Sequence, residues 1–252
     1  AIVNDVTLTQ APLYDFTAVD GIKHTIWQVP AERNDALYQA FETVPVMYIA
    51  DGHHRAASAS RTRAKLQAEN DNHTGKEDYN RFLTVIFPGS QLNILPYNRV
   101  LKDMAGNTTQ QLMETIKANF DITETQTPSP ETPKTVCMYI DGKWYHLSYK
   151  GDIDTLAPVK QLDVSILQDH ILAPIFNIQD PRKDDRIDFV GGIRGTQELE
   201  RLVDSGKACV AFSMYPTTVD DLMNISDADE TMPPKSTWFE PKLRDGMLVH
   251  EI

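Results

Sequence analysis

Apolar and polar positions along this chain follow two periods. Short runs of strand-forming residues flank Asp-Gly pairs, while longer polar stretches carry apolar residues at intervals of three or four. Three of the four Asp-Gly pairs predict hairpins: Asp20-Gly21 between Leu13–Val19 and Ile22–Val29, Asp141-Gly142 between Val136–Ile140 and Lys143–Tyr149, and Asp245-Gly246 between Phe239–Leu243 and Met247–Ile252. The fourth, Asp51-Gly52, follows the apolar run Val44–Ala50 and precedes HHRAASASRTRAKLQAEN, whose residues favour helix. It predicts a strand-loop-helix junction, with a buried strand ahead and a tightly packed helix behind.

Helix is expected near 32–43, 53–69 and 108–119, and strand near 45–50, 82–87 and 92–97. In the last of these helices Leu112, Ile116 and Phe120 recur every four residues, the stripe of a helix laid on a core. The segment TQTPSPETPK at Thr125–Lys134 holds three prolines among polar residues and continues neither helix nor central strand, which suggests a boundary between a region 1–125 and a region 126–252. Beyond it the pattern predicts a helix near Val164–Leu172, a strand Arg186–Val190, a helix Gln197–Val203 and a strand Ala208–Met214. The fold class is mixed, α+β.

Charge narrows the partners. With 36 acidic against 24 basic residues the formal charge is −12, a field that repels nucleic-acid backbones and anionic membranes while leaving room for a small basic pocket. Cys137 and Cys209 stand far apart with no CxxC spacing, which argues against a disulfide framework or a zinc site and for a reducing compartment. No long apolar run and no signal-peptide pattern occurs, so a cytoplasmic location without a membrane span is expected. The chain opens on Ala and passes directly into Val3, Val6 and Leu8, as expected of a processed chain or a piece of a longer one.

Asp51-Gly52-His53-His54-Arg55 sets a carboxylate, a permissive glycine, two imidazoles and a guanidinium at a helix start, where free N–H groups and the helix dipole attract anions. Asp51 could hold Mg²⁺ or accept a proton from an attacking hydroxyl, Arg55 could grip phosphate oxygens, and a histidine could donate to them. The alternative is that Asp51 caps the helix and the others lie on a solvated face. Met232–Leu243 (MPPKSTWFEPKL) lacks the upstream glycines of a Walker motif, yet Lys235, Ser236, Thr237 and Lys242 beside Trp238-Phe239 could hold a phosphate and stack a ring; an edge strand with exposed lysines is the alternative. Gly191-Gly192-Ile193-Arg194-Gly195-Thr196 reads better as a tight turn than as an anion site, and Arg99 either enters the site or pairs with a surface carboxylate. His146, His170 and His250 lack paired metal spacing and read as structural, and neither cysteine has a local companion.

YIADGHHRAASA and MPPKSTWFEPKLRDG, with LNILPYNRVLKD and RIDFVGGIRGTQELERLV between them, resemble the DUF1015 family across essentially the whole chain. Members of that family carry a further N-terminal region ahead of the part matched here. The Asp51–Arg55 stretch is also similar to the signature of the ParB and sulfiredoxin superfamily, which includes free serine kinases that phosphorylate L-serine with ADP or ATP. That resemblance implies a ParB-like mixed-sheet region around the loop, followed by a second α/β region. It further implies Asp51 as the metal-associated or catalytic carboxylate, with Gly52, His53, His54 and Arg55 on phosphate. The glutamate that such kinases use ahead of the loop has no assignable counterpart, since Glu32 and Glu42 suit an exposed helix face. The expected function is a nucleotide-dependent phosphotransferase with a small-molecule acceptor, ATP or ADP as donor and Mg²⁺ as cofactor, in which Asp51 and His54 act on the reacting groups. A non-catalytic nucleotide-binding module and a structural domain are the alternatives.

Overall fold

The structure is a computed structural model and describes residues 2–252. It divides into two compact units, the first ending at Ile49 and the second running from Ala50 to Ile252.

The first unit contains helix α1 (Ile2–Thr9), the antiparallel hairpin β1 (Tyr14–Thr17) and β2 (Lys23–Ile26), and helix α2 (Asn34–Glu42). The hairpin turns at Asp20-Gly21 as the sequence predicts, with Gly21 in the left-handed conformation at φ 80°. Val6 is its buried apolar residue.

The second unit opens with helix α3 (His53–Ala68) and is dominated by a six-stranded antiparallel sheet. Its strands are β4 (Tyr97–Leu101), β5 (Phe120–Thr125), β6 (Thr135–Ile140), β7 (Lys143–Tyr149), β8 (Ile187–Gly191) and β9 (Val210–Met214), in the order β5-β7-β6-β9-β4-β8. A short pair, β3 (Asn93–Leu95) with β10 (Trp238–Glu240), stands apart from it. Helices α4 (Thr109–Ile116), α5 (Asp163–Leu167), α6 (Ala173–Phe176), α7 (Gln197–Asp204) and α8 (Val219–Asp227) complete the chain, with a π-turn at Gln168–Leu172 joining α5 to α6.

Period-two alternation builds the core. Along β6, Val136, Met138 and Ile140 enter one apolar cluster with Leu112 and Ile116 of α4 and Leu167 of α5, while Cys137 and Tyr139 enter a second with Leu199 of α7. Strand β9 divides in the same way, with Val210, Phe212 and Met214 on one face and Ala211 on the other. A strand covered on both faces is largely apolar, and all six residues of β6 are buried, Thr135 being the polar exception.

Several expectations are corrected. The runs at 45–50 and 82–87 form no strand. An apolar run becomes a strand only when neighbours take up its backbone bonds, and here Val46, Met47, Ile49, Phe82, Val85 and Ile86 remain at least half exposed. The last Asp-Gly hairpin does not form either: β10 pairs with β3 in the register Trp238↔Leu95, and Pro241, which has no N–H to donate, follows it. Phe120, read as the end of a helical stripe, begins β5 after α4 closes, though it lies in the same cluster as Leu112 and Ile116. The proline-rich segment 126–134 connects β5 to β6, so the expected boundary at 125/126 falls inside one sheet. Among the described residues no helix is long and apolar enough to cross a membrane.

Candidate functional site

Helix α3 starts where the sequence places it. Gly52 is its N-cap residue, in the left-handed conformation at φ 86°, and no side chain caps the helix. Asp51 therefore does not act as the helix cap; its Oδ1 accepts from the adjacent Gly52 N–H at 2.8 Å. The Arg55 guanidinium folds back over the loop so closely that a Cβ on Gly52 would lie 3.0 Å from Nη2, which joins the glycine requirement to both the backbone conformation and the placement of the arginine. Asp51, His53, His54 and Arg55 are all exposed.

The packing expected around the loop is absent. No strand lies immediately ahead of it, and α3 fully buries none of its residues: its half-buried positions Ala56, Ala59, Thr62 and Leu66 are mostly small. Clefts of about 240 and 610 Å³ open elsewhere, the first beside Ala59 of α3 and Leu248, the second beside Asp141 and Asp204, and neither is lined by the loop.

What reaches the loop is the far end of the chain. Lys242 Nζ lies 3.7 Å from Asp51 Oδ2. The same ammonium stands 5.3 Å above the Trp238 ring, and Glu240 fixes both residues by accepting from Trp238 Nε1 at 2.7 Å and from the Lys242 backbone at 3.1 Å. Trp238 meets Tyr97 edge-on at 5.3 Å, and Lys235 Nζ lies 5.1 Å over the Tyr97 ring. Two lysines are thus held on one aromatic pair, with the first acid of the loop beside the second lysine.

The glycine-rich turn supports this group. A Cβ on Gly191 would come within 2.4 Å of the Trp238 ring and one on Gly192 within 2.7 Å of Pro96, so both glycines are demanded by close packing. The tight-turn reading holds, and residues 192–194 make a single 3₁₀ turn. Arg99, expected either in the site or on a surface carboxylate, takes a third course. It is 4% exposed, donates to the carbonyls of Tyr97 and, at 3.1 Å, of Lys235, and stacks over Phe189. Burial pushes its guanidinium down to about 9, which leaves it cationic at neutral pH. Ser236 is also buried; its Oγ donates to the Pro233 carbonyl and its own carbonyl accepts from Thr217 Oγ1 at 3.2 Å, so it fastens the turn. Thr237 is half-buried between Ser236 and Trp238.

Tyr97 and Glu240 were given no role from the sequence, and Gly191 was read only as part of a tight turn. Their signal is tertiary: each acquires its role only when β4, β8 and β10 converge. Among the described residues no group of three or more His, Cys, Asp or Glu side chains could hold a metal ion. Mg²⁺ commonly keeps its waters and takes one or two carboxylates with substrate phosphates, and one exposed carboxylate, Asp51, is compatible with that shell.

A family model described as a protein of unknown function, DUF1015, matches residues 1–165. The chain belongs to the DUF1015 family. No curated protein matches this DUF1015 chain. Among solved structures it is similar to a free serine kinase in complex with AMP, at 14% identity and a TM-score of 0.40, covering 84% of this chain and 81% of that one. It is also similar to a conserved hypothetical protein from Pyrococcus furiosus, at 16% identity and a TM-score of 0.38, covering 82% of each chain.

Proposed function

We propose that this protein is a nucleotide-dependent phosphotransferase acting on a small hydroxyl substrate such as L-serine. The observation that carries the reading is the meeting of Lys242 with Asp51 at the uncapped start of α3, a carboxylate and a cation drawn from opposite ends of the second unit. Phosphate oxygens would take the backbone N–H of His53 at the start of α3 and the charges of Arg55, Lys235 and Lys242. Asp51 would accept the proton of the acceptor hydroxyl as its oxygen bonds to the terminal phosphorus and the bond to the leaving phosphate breaks. His54 would donate to the transferred phosphoryl group. Mg²⁺, held by Asp51 and the nucleotide phosphates, would neutralise charge on the phosphate oxygens.

The donor is ATP or ADP. Asp51→Ala is expected to lower phosphorylation of serine by at least about a thousandfold while leaving thermal unfolding unchanged, since its side chain is exposed. Turnover equal to wild type would refute the role given to Asp51. One observation favours a second reading, a nucleotide-binding module without catalysis: the loop side chains are exposed to water, whereas phosphoryl transfer profits from a site that excludes it. Nucleotide binding by the wild type without phosphate transfer or release would select that reading.

A further inference from the structure

Lys235 is one of the few non-glycine residues with a left-handed backbone, at φ 60°. Such a conformation persists only where surrounding contacts impose it. Two ties are visible: Ser236 Oγ holds the Pro233 carbonyl, and Arg99 Nη2 holds the carbonyl of Lys235 itself at 3.1 Å. The other end of the Arg99 fork holds the carbonyl of Tyr97, the residue whose ring carries the Lys235 ammonium. A planar guanidinium can span two carbonyls in this way, and a lysine ammonium, a single point of charge, cannot reproduce it.

We infer that Arg99 is a positioning residue for the anion site, clamping the left-handed Lys235 backbone to β4 so that Lys235 and Lys242 stand on the Tyr97–Trp238 ring pair. Its burial separates it from solvent and ligand, so it acts through Lys235. Burial of a cation is costly, and here the two carbonyl bonds offset part of that cost. The inference rests on the reading of Lys235 and Lys242 as phosphate-holding residues and gives the buried arginine a different task from theirs.

The test is ADP binding by calorimetry, with thermal unfolding as a check on the fold, for the wild type, Arg99→Lys, Lys235→Ala and the double variant. Each single change is expected to weaken ADP binding by about tenfold, and the double variant by no more than Lys235→Ala alone, because both act on one element. A double variant weaker by the product of the two effects would mean that Arg99 touches the anion itself, and Arg99→Lys binding as tightly as wild type would remove its role. Should Arg99→Lys not fold, the guanidinium ¹⁵N resonance of Arg99 in the wild type decides: on saturation with ADP it is expected to stay in place while the Lys235 ammonium resonance moves, and an equal shift of both would overturn the inference. A wild type that does not bind ADP sinks the phosphotransferase reading and this inference together, whereas additivity sinks the inference alone.

Discussion

Helices α4 and α3 make opposite use of their residues. Helix α4 is eight residues long, is closed at its start by a capping box between Thr108 and Gln111, and buries Leu112 and Ile116 against the central sheet. Helix α3 is twice as long, has no side-chain cap and has no fully buried residue. An isolated helix of that length is marginal in water, so α3 depends on the propensity of its alanines, lysine and arginines and on contacts such as Arg63 Nε donating to Asn80 Oδ1 at 3.1 Å. The difference separates what holds the fold from what is offered to a ligand. The sheet and α4 can be read as packing alone, while the start of α3 leaves backbone donors and charged side chains in the open.

Substitutions at the two helices test this division directly, beginning with the largest effect. Leu112→Ala, at a wholly buried position, is expected to cost about 3–5 kcal/mol in urea unfolding, and a cost under about 1 kcal/mol would show that α4 does not pack as described. Next comes a buried acid beside the same core. Asp163 sits at the start of α5 with Oδ1 unpartnered; burial, assisted by Asp221 and opposed by Lys134, pushes its carboxyl up to about 6 from 3.8. The native state therefore holds this proton more tightly than the unfolded chain, so its contribution favours folding at low pH, declines as pH rises from about 4 to about 6, and is constant above that. Asp163→Asn should remove this dependence and raise stability at pH 7 by about 2–3 kcal/mol; an unchanged pH profile would contradict the assignment. Smallest is Ser58→Ala on the exposed side of α3, expected to change stability by under about 0.5 kcal/mol, whereas a loss of several kcal/mol would reveal packing on α3 that the structure does not show.

The parts of the fold legible in the sequence were those governed by local physics. Asp20-Gly21 and Asp141-Gly142 give hairpins because a two-residue turn fixes its own register, and α2, α3, α4 and α7 follow their propensity and periodicity. Helices α1 and α8 were not anticipated, and α8 announces itself only through the capping box of Thr218 and Asp221; strand β10 fits the edge-strand reading of Met232–Leu243 rather than the expected hairpin. The expected strands at 45–50 and 82–87 show the limit of apolar composition, since a strand also needs a partner that no local pattern can supply. At the candidate site the loop and its glycine were legible for the same reason, a helix start being local. That Lys242 would reach Asp51, that Trp238 would rest on Gly191 and that Arg99 would be sealed behind Lys235 depend on contacts between residues far apart in the chain.

A phosphotransferase of this design requires that the cation brought to the loop serve an anion. Calorimetric titration of ADP into the wild type and into Lys242→Met addresses this most directly. Saturable binding by the wild type is expected, weakened by about tenfold or more in the variant and falling with added salt. Equal affinity in the two proteins, or no binding by either, would contradict it.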